Sequence, residues 1–227
     1  MGEAMRGKAR AVVAVNRPGS SLDGLANLLS KRRRRRLAKA VLRDVLQAVQ
    51  ESRVLEDVVL LSQDPDVMAL GREEGIRPLE PGGRTGTTTQ LVRETCLHEG
   101  SEAILLLRGD LALLEAQDLA FLSGRLAGGR GLVLVPTSGR LGLSLVFARP
   151  VEELQGDFEA GDVLSWRQGG LERGLSPEVY GIPAGMRLAE PRDLLLVYRA
   201  ARPSQAKALL KDWDLGPRLR TLEGEGT

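Results

Sequence analysis

The chain has 227 residues, of which 42% are hydrophobic, 27% charged and only 3% aromatic, and its 32 basic and 30 acidic residues leave a net charge of +2. That size and balance fit one soluble α/β domain with an aliphatic core, and the near-zero charge gives no whole-molecule field to draw a polyanion. A single cysteine excludes an internal disulfide and a Cys-rich zinc site.

Residues 1–10 read as a flexible N-terminus with too few consecutive apolar residues for a signal peptide, and the domain is expected over 11–212. "AVVAV" (Ala11 to Val15) reads as a buried strand, followed by a polar, Gly-containing loop. "KRRRRRLAKAVLRDVLQAVQES" is a helix, because Leu37, Val41, Val45 and Val49 recur on one face, with Leu42 and Leu46 widening it. "DVVLLS" (Asp57 to Ser62) is a second strand, and Asp64 and Pro65 supply the cap and first residue of a second helix. "TTTQLVRETCLHEG" is a third helix. There Cys96 and His98, two residues apart, point to different faces, predicting a packed thiol beside a surface imidazole. "AILLL" is a third strand, "EAQDLAFLSGRL" a helix and "GLVLVP" (Gly131 to Pro136) a fourth strand.

These strands are apolar throughout rather than alternating, which predicts a mainly parallel sheet covered by helices on both faces, with "AVVAV", "VVLLS" and "AILLL" in one sheet. "GLSLVFARP" adds a strand ended by Pro150. "GDVLSWRQGGLERG", "AEPRDLLLVYRA" and "PSQAKALLKDW" add helices, and 213–227 reads as a mobile tail. No apolar run approaches the ~18–20 residues of a membrane span, so a cytoplasmic protein without a membrane partner is expected. The sequence sets no oligomeric state.

In an open α/β sheet, ligands bind beyond the carboxyl ends of the strands. That places the loop after Val15 and the turn Arg108 to Asp110 on one edge. Asn16, Arg17 and Gly19 offer amides and a cation for phosphates, and Asp110 offers a carboxylate for Mg²⁺. An Asp closing a strand is equally a turn former or a helix cap.

The order "AVVAV…LLSKRRRRRLAKAVLRDVLQAV…ILLLRGDLALL…GLSLVFARP…PRDLL" resembles the guanylyltransferase family that builds the deazaflavin coenzyme F-420 by joining GTP to a small phospho-acid such as 2-phospholactate. That family is kin to the molybdenum-cofactor type of nucleotidyltransferase, with a Rossmann-like fold. The resemblance runs from Ala11 to about Tyr198. It implies a nucleotidyltransferase that uses GTP and Mg²⁺, with Asp110 on the family's metal-binding acid. It puts Asn16 where the family has a phosphate-binding lysine, with Arg17 as a stand-in, and Thr87-Thr88 where a Leu-Asn pair meets guanine. Gly142 and Ser144 fall in a Gly-Thr-Asn-Ala segment, and Gly161 lies in a segment that keeps Phe158 but has Glu159, Asp162 and Trp166 in place of Gly, Ser and His. The family's Asp-Ile-Asp-Thr-Pro-Glu-Asp-Leu becomes "RLAEPRDL", with Arg187 and Ala189 at the positions of acids. Two readings stay open: an enzyme that guanylylates a phospho-acid and releases pyrophosphate, and a non-catalytic relative that binds a nucleotide or a partner protein.

The run Arg32 to Arg36 scatters around a helix and has no interleaved aromatic residues, which argues against a nucleic-acid partner. Trp166 and Trp213 are expected to be packing or surface residues rather than a ligand platform.

Overall fold

The computed structural model describes residues 9–15, 20–81, 86–126, 129–138 and 142–219. Its strands are β1 (Ala9–Ala14), β2 (Asp57–Leu61), β3 (Arg77–Leu79), β4 (Ala103–Arg108), β5 (Gly131–Pro136), β6 (Leu143–Arg149) and β7 (Glu178–Val179). The helices are α1 (Lys31–Ser52), α2 (Pro65–Glu73), α3 (Thr88–His98), α4 (Ala116–Arg125), α5 (Val163–Glu172), α6 (Pro191–Arg199) and α7 (Gln205–Asp212). The strands form one sheet in the order β3-β2-β1-β4-β6-β5-β7. β1 pairs parallel with β2 and β4, β2 with β3 and β5 with β7, whereas β6 runs antiparallel to both β4 and β5. The mainly parallel sheet and the shared sheet of the first three predicted strands are both found.

Continuous apolar strands have a direct cause here. Ala11, Val13, Leu105 and Leu107 point into one buried cluster with α1, α4, α6 and α7, while Val12, Ala14, Ile104 and Leu106 point into a second with α3 and Trp166 of α5. Successive strand residues face opposite sides, so a sheet covered on both sides needs apolar residues at every position. β3 and β7 are absent from the predicted elements for the same reason in reverse. β3 has three partly exposed residues around Pro78, and β7 has two, too few to show any period.

α1 spans the predicted residues and buries the predicted face, but that face also buries an acid, Asp44. Its carboxylate accepts the amides of Gln205 (2.8 Å) and Ala206 (2.9 Å), two otherwise orphan donors at the start of α7. A buried charge is thus satisfied by a helix terminus, and α1 is fastened to α7. Cys96 is fully buried and His98 exposed, as expected; burial pushes the Cys96 thiol up, away from the reactive thiolate.

Ala9 and Arg10 belong to β1, and Leu215 and Leu219 lie in the core, so ordered packing reaches past residue 212. Trp213 lies under the guanidinium groups of Arg33 and Arg36. Among the described residues no helix is long and apolar enough to cross a membrane.

Candidate functional site

At the carboxyl ends of β1 and β2 the surface opens into a cavity of about 460 Å³. Its walls include Val15, Ser62, Asp64, Thr87, Gln90 and Glu94. Two helices begin there. Asp64 caps α2, accepting the amides of Asp66 (2.9 Å) and Val67 (3.3 Å), with Pro65 at the first helical position as predicted. Thr87 caps α3 in a reciprocal box: its hydroxyl accepts the Gln90 amide (3.2 Å) and the Gln90 side chain accepts the Thr87 amide (3.0 Å). Gly86 precedes the box at φ +141°, and a side chain there would meet Gln90 Oε1 at 2.8 Å, so only glycine fits. Helix N-termini carry partial positive charge and first-turn amides, which favour anions in the cleft.

Asp110 lies on the same edge. Its turn follows β4, whose Arg108 is in register with Ala14, and the Gly109 amide donates to the Ala14 carbonyl (3.1 Å). A Cβ on Gly109 would meet the Val15 side chain at 2.4 Å, so the turn rests directly on the wall of the cleft. Alongside runs the segment from Met186 to Ala189. Leu111 and Arg187 form an antiparallel bridge, and the Leu188 amide donates to the Asp110 carbonyl (3.1 Å). Across this pairing the Arg187 fork donates to both carboxylate oxygens: Nε to Oδ1 (3.1 Å) and Oδ2 (3.0 Å), and the terminal nitrogen to Oδ2 (2.7 Å). The side chains keep 18% (Asp110) and 26% (Arg187) of their surface exposed, so the pair is shielded but reachable. Burial works against the guanidinium charge, yet hydrogen bonding to Asp110 and the charges of Asp110 and Glu159 outweigh it and raise the Arg187 pKa.

Glu159 is itself held. Arg108 donates to it (3.0 Å), to the Leu143 carbonyl (2.8 Å) and to the Phe158 carbonyl (3.0 Å), with its guanidinium 4.9 Å from the Phe158 ring centre. Two acids and two arginines therefore interleave into a neutral cluster. A cation clamp of two carboxylates, which the resemblance implies, is not formed by these residues. Asp110 is engaged at both oxygens, the Ala189 side chain carries no atom that can ligate a cation, and among the described residues no three His, Cys, Asp or Glu side chains converge on one point. A cation about 4 Å from Arg187 would also meet repulsion of about 4 kcal/mol per unit charge at an effective dielectric constant of ~20.

The predicted site residues separate into three groups. Thr87 and Thr88 line the cleft and Asp110 lies beside it. Asn16, Arg17 and Gly19 lie outside the described residues. Gly142, Ser144 and Gly161 do not line the cleft but sit around the Arg108 end of β4, where they make structural bonds. The fully buried Ser144 hydroxyl donates to the Gly185 carbonyl (2.7 Å) and pairs with Thr137 (3.0 Å), tying β6 to the segment that carries Arg187. Gly142 accepts the Thr137 amide (2.7 Å), and Gly161 closes a turn on the Asp157 carbonyl (2.8 Å). Trp166 is buried, as expected. Sequence reasoning missed the ion pair. It placed Arg187 at the position of an acid, but opposite charges 77 residues apart carry no local signal. The wall residues Ser62 and Glu94 were in principle accessible, because the carboxyl-edge rule also points to the loop after β2 and the α3 face that follows Thr87.

Residues 9–212 match the family described as guanylyl transferase CofC like. A phosphoenolpyruvate guanylyltransferase of Sphaerobacter thermophilus is 30% identical over 166 residues, 73% of this chain and 80% of the relative. Among solved structures, a Desulfovibrio desulfuricans G20 protein described as a nucleotide-diphospho-sugar transferase superposes with a TM-score of 0.74 at 14% identity, covering 94% of this chain and 97% of that one. Glucosyl-3-phosphoglycerate synthase of Mycobacterium tuberculosis, in a complex that holds Mn²⁺ and uridine diphosphate, gives 0.53 at 10% identity over 78% of this chain and 71% of that one. The nucleotidyltransferase-like fold, with its cleft at the carboxyl edge, and the match over nearly the whole domain lead to one conclusion: the chain belongs to the CofC-like guanylyl transferase family.

Proposed function

We propose that the protein transfers the guanylyl group of GTP to the phosphate of a small phospho-acid of the phosphoenolpyruvate or 2-phospholactate type. An acceptor phosphate oxygen attacks the α-phosphorus, the bond from that phosphorus to the bridging oxygen breaks, and pyrophosphate leaves with the electron pair. The observation that carries this reading is the cleft at two helix N-termini, with the Asp110 turn and its arginine on the same edge of the sheet, in a chain of this family. The nucleoside lies along the α3 face, where Glu94 follows Thr87 by two turns and offers the acceptor that guanine N1–H and N2–H require. The phosphates extend over the helix termini toward Arg187, where fixed donors stabilise charge that shifts during transfer. Asn16, Arg17 and Gly19 are assigned to the phosphates from the loop after β1. Mg²⁺, if it accompanies the nucleotide, would neutralise phosphate charge, with Asp110 a carboxylate on this edge that could face it.

The test is pyrophosphate release from GTP with a panel of acids. Release with phosphoenolpyruvate or 2-phospholactate, and none with pyruvate or lactate, is expected. Silence with every acid, despite GTP binding, would leave a nucleotide-binding relative without catalysis.

A further inference from the structure

We propose that Arg187 supplies, from the protein itself, the positive charge for which a second carboxylate would recruit a divalent cation, so that GTP binds equally well with and without free metal. This inference rests on the reading that the nucleotide phosphates reach the Asp110 end of the cleft. Three observations carry it. The fork geometry that Arg187 presents to Asp110, with two donors on two oxygens, is the geometry that arginine presents to phosphate. The arrangement is built rather than accidental, because the Leu111–Arg187 bridge, the bond from Leu188 to the Asp110 carbonyl and the Ser144 bond to Gly185 fix the segment on both sides. The remaining acid of the cluster, Glu159, is held by Arg108.

On this arrangement Asp110 is a positioning residue. It holds the guanidinium beside the turn after β4 when no nucleotide is present and competes with the phosphates for it when one arrives. A metal-ligand role and this role therefore give opposite signs for one substitution. Asp110→Asn removes a ligand in the first case and weakens binding; in the second it removes a competitor and leaves affinity equal or higher.

The experiment measures binding of GTP, and separately of pyrophosphate, to the full chain by calorimetry, in chelator and in excess Mg²⁺. Wild-type GTP affinity is expected to agree within about threefold between the two conditions. Asp110→Asn is expected to bind as tightly as wild type or more tightly. Arg187→Gln is expected to weaken both probes by about tenfold or more, the size of a lost charged hydrogen bond, with Arg187→Lys in between because it keeps charge without the fork. The double change Arg187→Asp with Ala189→Asp is expected to create a Mn²⁺ site visible by electron paramagnetic resonance without nucleotide, absent in wild type. Melting curves show that each variant is folded, and Arg187→Lys carries the argument if Arg187→Gln is not. Loss of wild-type GTP binding in chelator, a weakened Asp110→Asn, or failure of both probes to bind wild type overturns the proposal. Pyrophosphate binding that depends on Arg187, with no GTP binding, overturns the guanylyl reading alone and supports the anion site.

Discussion

Two carboxylates in this protein are gripped by arginine at opposite edges of one sheet. Glu153 follows β6 at the edge where β4 and β5 begin; it accepts from Arg130 (2.6 Å) and Arg173 (3.1 Å), and its side chain keeps only 7% of its surface. Asp110 follows β4 at the other edge, has one arginine and stays partly open beside the cleft. The chemistry is the same and the consequence differs. Ligands approach such a sheet at its carboxyl edge, so the sealed cluster at the amino edge is a fastening. The open pair can exchange its carboxylate for another anion.

Breaking the sealed cluster should give the largest effect. Glu153→Gln leaves two guanidinium groups without their counter-charge, and breaking a buried pair costs about 3 kcal/mol, the lower end of the usual range because Arg130 is half exposed. A chain of this length loses ~2–4 °C of melting temperature per kcal/mol, so a drop of about 6–12 °C is expected in calorimetry. GTP affinity should not change. An altered GTP isotherm in this variant would erase the distinction between the two edges.

Asp44 sharpens the contrast, because it is a buried carboxylate satisfied chiefly by backbone amides. Asp44→Ala strands the amides of Gln205 and Ala206 and should cost about 2 kcal/mol in urea unfolding. Burial pushes its carboxyl up, against the pull of the amides, of Ser204 and of Arg202. Between the ordinary carboxylate value and this raised one, the folded chain holds more protons than the unfolded chain. The contribution of Asp44 therefore falls as pH rises through that window, and the gap between wild type and Asp44→Ala should widen on acidification. Glu99 has the opposite sign. Burial raises its carboxyl, but Arg77 and Arg10 together bring it below the usual value, so its contribution is lost as pH falls through the folded value. A gap for Asp44 that narrows toward acid would contradict the assignment.

Much of this architecture was legible in the sequence, and the boundary is physical. α1, α2 and α3 were readable because apolar spacing and capping residues such as Asp64 act within a few positions. β1, β2 and β4 were readable because a sheet covered on both faces demands unbroken apolar runs. What escaped depends on pairing at long range. The two-residue β7 exists only because β5 offers it an edge, and the Asp110–Arg187 fork joins residues that share no local pattern. Ser144, placed in the nucleotide segment by resemblance, bonds to the Arg187 segment from inside the core, a contact between distant residues that no local pattern announces.

A smaller effect is expected at the other wall of the open edge. Glu94→Gln replaces an acceptor-only carboxylate by an amide that presents a donor toward the guanine N–H groups, and GTP should bind about tenfold more weakly, or ~1.4 kcal/mol. Inosine triphosphate, which lacks the N2 amine, should be affected less, and the melting temperature should stay put because Glu94 is exposed. Equal loss for both nucleotides would move the base away from α3.

The smallest effect is expected where the sequence looks most charged. The arginines at the start of α1 do not all serve one side of the helix. Arg33 and Arg36 lie 5.3 and 5.7 Å from the Trp213 ring centre, and Arg34 donates to the Leu29 carbonyl (2.9 Å) and reaches Asp23 (3.4 Å). Arg32, Arg35 and Arg36, all exposed, line a shallow hollow with Lys31 and Lys39, but Asp66 stands in the same hollow, 3.7 Å from Lys39. With three arginines and two lysines on that side and Asp66 set against them, RNA or DNA can release only about four counterions there, a logarithmic salt slope near −4, and at physiological salt that amounts to weak, sequence-independent binding. Changing Arg32 and Arg35 to Gln should therefore leave GTP binding and melting unchanged and alter retention of labelled RNA only at low salt. Submicromolar RNA binding at physiological salt that disappears in this variant would mean that the helix start is a second functional surface, comparable in importance to the carboxyl edge.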